Sequence, residues 1–199
     1  MNPVDYCAGS KAFFAVDRLK EAAKEKCLHV WMLDGCLKIS GTHWAAEIDP
    51  MILTARDKGM IIEIVDEFPK EGTGVRIEKD QIVQDAEVPN LIEKLRPEEE
   101  LEVLHETLFT IEENKVLQAV FDRSKLYLCD NFIVEATHDP KLNYKVGDDL
   151  PEVIQTDGRL VYWMSNYMTL AVEKTIPLQE WSSALKNLEK EELPWRRLG

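Results

Sequence analysis

Four histidines are the residues best suited to moving protons near neutral pH, and His29, His43, His105 and His138 each stand alone in their segments. No two are spaced i and i+4, the arrangement by which one helix face offers paired imidazoles to a metal ion. His43 and His138 fall at the ends of apolar stretches beside Glu47 and Asp139, where folding can bring an imidazole and a carboxylate together as an acid and a base. Turn histidines satisfied by local partners are the plainer reading of the same residues. Cys7, Cys27, Cys36 and Cys129 form no C-x-x-C pair, and Cys36 and Cys129 sit in strand-like runs where a thiol acts as apolar filler.

Other chemistries lack their signatures. Ser10, Ser40, Ser165, Ser182 and Ser183 have no G-x-S-x-G elbow around them. Gly72-Thr73-Gly74 lacks the lysine of a phosphate-binding loop and reads as the entry to a hairpin. Asp148-Asp149 and the Glu47/Asp49 pair follow no calcium-loop spacing and read as solvated turns. The expectation is a protein without catalytic residues, metal or cofactor. Aromatic side chains are the more informative group: Tyr162, Trp163, Tyr167 and Trp195 form the candidate contact surface, with Trp31, Trp44 and Trp181 beside them in type. On a strand, Tyr162 and Trp163 face opposite ways, so one is core and the other meets solvent, a partner or a covering C-terminal helix.

Those residues are positioned by a chain of 199 residues with 24 basic and 37 acidic side chains, a formal charge of −13 and a sequence pI near 4.8. Its mean field repels phosphate backbones and anionic membranes, leaving one local basic group at Lys11, Arg18, Lys20, Lys24 and Lys26. The opening MNPVDYCAGS has neither the basic nor the apolar part of a signal peptide, and no run approaches the roughly 18 apolar residues of a membrane span. A cytoplasmic location with reduced thiols is expected.

The elements read as α+β, with antiparallel hairpin-rich sheet and a few flanking helices. Leu33 to Pro50, Phe121 to Pro140 and Thr156 to Pro177 each combine an Asp-led turn, an apolar strand, a polar tight turn and a second strand. GVRIEKDQIVQ and ETLFTIEENKVLQAVFD add two more hairpins. Helices are expected from about Asp17 to Lys26, from Pro97 toward His105 behind Glu98 to Glu100, and through Leu178, Trp181, Leu185 and Leu188; Ile61, Ile62, Ile64, Val65 and Phe68 fit a helix face, the reading preferred, while their β-branched density suits a buried strand. The tail from Pro194 reads as loose. Pro97 marks the best boundary, giving halves 1–95 and 96–199 that resemble each other loosely and can equally form one domain.

FAVDRLKEAAKEK followed by LHVWMLDGCLKISGTHWAAEID resembles the opening of a DNA sliding-clamp domain, in which a strand and helix precede a hairpin with an Asp-Gly turn. MIIEIVDEFPKEGTGVRIEKDQIVQ resembles that domain's second helix and hairpin, so the similarity covers residues 12–84. It implies a ring lined by basic helices. Lys20, Lys24 and Lys26 match that role, whereas the segment from Ile61 to Phe68 has no basic residue. The functional expectation is a non-catalytic binding or protein-interaction molecule with a protein partner or a second copy of itself, the alternative being a clamp-like replication accessory.

Overall fold

A computed structural model describes residues 28–51, 53, 55–78, 81–85, 87–95, 101–130, 153–164, 168–189 and 193–194. The basic segment and the helix expected over Asp17 to Lys26 lie outside them, as do His138, Asp148-Asp149, Tyr167 and Trp195.

Within this range the strands are β1 (Leu28–Leu33), β2 (Cys36–Ser40), β3 (Trp44–Ile48), β4 (Thr73–Glu78), β5 (Gln81–Gln84), β6 (Glu102–Ile111), β7 (Asn114–Ala119), β8 (Leu126–Asp130), β9 (Val153–Thr156), β10 (Leu160–Met164) and β11 (Met168–Glu173). They make one antiparallel sheet in the order β5-β4-β1-β2-β3-β11-β10-β9-β6-β7-β8. Tight turns set its registers. Asp34 and Gly35 both have positive φ, 55° and 74°, as a two-residue turn with the twist of its strands requires. Asp157 caps the β9–β10 turn, its Oδ1 accepting from the Arg159 and Leu160 amides at 2.7 Å each. Thus the Asp-led turns of the first and third signature stretches each join a preceding strand to the hairpin, making three-stranded meanders of them. In the second stretch β8 is described, and the strand expected after it lies outside the described residues.

Alternation along the strands sorts side chains onto two faces. The inner face carries Val30, Ile39, Ala46, Leu170, Trp163, Ile154, Leu104 and Leu117 in one continuous apolar cluster. Helix α1 (Ala55–Val65) packs on it through Ile61 and Val65, with Met60, Ile64 and Phe68 alongside; the helix begins earlier than expected and stops at Val65, before Phe68, and Ile62 is exposed. The outer face has two smaller clusters. Helix α2 (Asn90–Glu93) and Leu95 cover Trp31, Ala45, Tyr162 and Ala171. A short 3₁₀ turn (Gln179–Trp181) and helix α3 (Ser182–Leu188) cover Val116 and Leu128. Beyond β11 the Thr175 amide donates to the Leu128 carbonyl of β8 at 2.7 Å and the Thr175 hydroxyl to Asn114 Oδ1 at 2.7 Å.

Two expectations need correction. Residues Glu102 to His105 are strand, not helix, because Glu102 and Glu106 alternate inward to Tyr127 and Lys115 while Val103 and His105 point the other way. The C-terminal segment is not loose at Leu193 and Pro194. Leu193 is buried, its amide donates to Gln118 Oε1 at 3.2 Å, and the Pro194 carbonyl accepts from the Leu108 amide at 2.9 Å.

Acid stability follows from two carboxylates. Glu173 accepts from His43 Nδ1 at 2.9 Å and from Arg159 at 2.6 Å, and these partners hold it below the usual value of 4.5 against the opposing effect of burial. Glu102 is likewise lowered, first by the Tyr127 hydroxyl at 2.6 Å and then by Lys125, while burial and that same bond push Tyr127 up to about 12. A depressed folded-state carboxylate stabilises fully above its unfolded value and loses that contribution as pH falls through the folded value. Urea unfolding between pH 6 and pH 2, roughly, is expected to show stability falling below about pH 4.5, with Glu173→Gln flattening that limb. An unchanged limb would remove Glu173 from the account.

Candidate functional site

Val30 and Leu28 turn inward, so the intervening His29 and the neighbouring Trp31 emerge on the outer face of β1. Across the ladder His29 pairs with Arg76 and Trp31 with Gly74. Gly74 is required there, since a β-carbon at that position would overlap the Trp31 ring. The indole occupies the space beside the glycine and donates its N–H to Asp85 at 3.1 Å. The same Asp85 oxygen meets His29 Nδ1 at 2.6 Å, and its other oxygen lies 3.9 Å from Arg76 Nε. Asp85 is only 6% exposed, so these contacts are what make its burial tolerable. Trp44, Trp163 and Trp181 have indole N–H groups with no acceptor, which sets Trp31 apart among the described tryptophans.

His29, Arg76 and Asp85 line an open cleft of about 810 Å³ together with Gln84, Glu87, Val88, Pro89, Asn90 and Glu93. Arg76 Nε is buried without a hydrogen-bond acceptor, and the guanidinium lies 3.6 Å from Glu78. Glu87 and Glu93 are exposed and take part in no ion pair among the described residues. An aspartate on Nδ1 fixes the orientation of an imidazole, as acid–base catalysis requires, but the described cleft lining contains no serine, threonine, cysteine, tyrosine or lysine for it to activate. Among the described residues no three His, Cys, Asp or Glu side chains gather as a metal site. No described helix is long and apolar enough to cross a membrane.

The cleft adjoins the first strand of the sheet order, β5, all four of whose residues are exposed. The Asp85 amide donates to the Gly74 carbonyl at 2.9 Å, which makes that pair a hydrogen-bonded one. Alternation then makes Arg76/Val83 and Glu78/Gln81 hydrogen-bonded pairs and leaves Val75/Gln84 and Ile77/Ile82 as the others. The main-chain groups of Ile82 and Gln84 therefore point away from β4, toward a side that no described strand occupies.

The aromatic residues singled out by sequence lie elsewhere. Tyr162 is buried beneath α2, its hydroxyl 3.1 Å from Asp157 and its acidity suppressed first by burial and then by that carboxylate. Trp163 is wholly buried on the inner face. They do point opposite ways, but both faces are covered, so neither ring is offered to a partner, and the C-terminal helix covers neither. Tyr167 and Trp195 are outside the described residues. His43 meets Glu173, not Glu47, and remains 73% exposed. The cleft was missed because His29 and Asp85 are 56 positions apart; the available signal was a histidine and a tryptophan two residues apart on one strand face. Comparison with family models, with curated proteins and with solved structures finds no match.

Proposed function

We propose that this chain is a non-catalytic protein-interaction molecule of the cytoplasm that receives an extended segment of a partner along β5. The edge of β5 away from β4, beside which no described strand lies, carries this reading. Strand addition draws affinity from main-chain hydrogen bonds and specificity from alternate side chains. Exposed edges are ordinarily guarded by charge, proline or a bulge, whereas β5 reads Gln-Ile-Val-Gln, uncharged and regular. Ile82 and Val83, each 39% exposed, supply one apolar side chain to either face of an incoming strand. The free thiols of Cys36 and Cys129 agree with a reducing compartment.

The test uses the acetylated, amidated peptide Thr-Val-Thr-Val-Thr-Val-Thr-Val-Thr and amide exchange read by NMR. Ile82 and Gln84 amides are expected to exchange quickly in the free chain and to become protected on titration. Ile82→Pro removes an outward donor only, so it is expected to abolish binding while costing the fold no more than about 1 kcal/mol. Val83→Pro removes a donor to β4 and is expected to cost about 3 kcal/mol. Protection confined to other segments, or undiminished binding by Ile82→Pro, overturns the reading. A ring-shaped oligomer threaded by DNA in electron micrographs would put the clamp-like alternative in its place.

A further inference from the structure

Resting on the edge reading above, we infer that the strand received by β5 is basic, with a lysine or arginine on the face that overlies the cleft. The register decides which face that is. Ile82 and Gln84 turn their main-chain groups outward, so residues opposite them in an added strand form the hydrogen-bonded pairs. Residues opposite Val83 and Asp85 share the outer face with His29, Arg76 and the cleft.

Charge selects the occupant of that position. Arg76 is already opposed by Asp85 at 3.9 Å and Glu78 at 3.6 Å, and Asp85 is further engaged by His29 and Trp31. Glu87 and Glu93 on the cleft wall have no cation among the described residues, and the chain as a whole carries −13. An incoming lysine or arginine meets two carboxylates that no cation among the described residues compensates, on the wall of an 810 Å³ cleft with room for its long stem. An acidic side chain in the same place meets like charge. The same net charge disfavours a second copy of this chain as the occupant.

The experiment compares Thr-Val-Thr-Val-Lys-Val-Thr-Val-Thr with its glutamate counterpart by calorimetry at low salt, on the wild-type chain, on Glu87→Gln/Glu93→Gln and on Ile82→Pro. Lysine is expected to bind about tenfold more tightly than glutamate, a gap that closes in the double glutamine variant and shrinks with salt. N-methylation of the two valines flanking lysine is expected to abolish binding, because their amides face β5. Equal affinity for the two peptides, or a gap that survives in the double variant, overturns the basic-strand inference while sensitivity to Ile82→Pro leaves the edge reading standing. Failure of both peptides to bind overturns both readings. A concentration-dependent dimer without peptide, lost in Ile82→Pro, assigns the edge to a second copy and overturns the inference.

Discussion

Trp163→Ala is expected to lower unfolding stability by about 4 kcal/mol, a large share of the roughly 5–15 kcal/mol a domain possesses. Trp163 is wholly buried near the middle of the strand order, its cross-strand partners being Leu170 on β11 and Ile154 on β9. Removing the indole opens a cavity under strands that are held on both sides and so have little freedom to collapse into it. Trp163→Phe separates packing from polarity. The indole N–H has no acceptor, so phenylalanine keeps much of the ring contact while removing an unpaired buried donor, and is expected to cost less than half as much as alanine. Urea denaturation of the three proteins checks both; equal losses for alanine and phenylalanine would mean that Trp163 stabilises through something other than packing.

The second large effect comes from the smallest side chain. Gly74→Ala is expected to cost about 3 kcal/mol, because the new methyl occupies the space of the Trp31 ring and the strand backbone beneath it is fixed by pairing with β1 and β5. Displacing Trp31 also breaks its bond to Asp85, so the lining of the cleft rearranges with the fold. Gly59→Ala is the control: beyond its chain neighbours and its own helix backbone no atom lies within 4 Å of the added methyl and the position is helical, so it is expected to stabilise by about 0.5–1 kcal/mol. Thermal unfolding together with the Trp31 indole N–H resonance measures each. An unmoved resonance in Gly74→Ala would show that the ring and glycine do not compete for the same volume.

Much of the architecture was legible locally. Asp34-Gly35 and Asp157-Gly158 punctuate alternating apolar runs, and connections this short, two residues between Leu33 and Cys36 and four between Thr156 and Val161, dictate which strands become neighbours. Ile61 to Val65 fitted either a helix face or a buried strand in sequence, because the spacing favoured one and the β-branched residues the other; the chain folds there as helix. What escaped was set by distant pairing. Nothing in WAAEI or MTLAVE identifies these segments as partners, yet Trp44 lies opposite Val172 and Ile48 opposite Met168. The run from Glu102 to His105 looked helical because Pro97 and Glu98 to Glu100 ahead of it resemble a helix N-terminus, whereas the partners of Glu102 and Glu106, Tyr127 and Lys115, come from other strands. Tyr162 and Trp163 looked like contact residues because a sheet covered on both faces cannot be told from a half-solvated one when their strand has only five residues. Asp85, the centre of the cleft, reads in sequence as one more turn carboxylate; its role exists only once β1 and β4 bring Trp31 beside Gly74.

The position of β11 has a consequence for synthesis. β3 pairs on one side with β2, its immediate predecessor, and on the other with a strand that begins about 120 residues later. At about 5–20 residues per second, a ribosome leaves that flank of Trp44–Ile48 without its mate for roughly 6–24 s. During that interval the nascent chain presents an apolar ribbon to whatever is nearby. Holding chaperones at the tunnel exit are therefore expected to raise the yield of correctly assembled molecules more than any folding aid supplied after release.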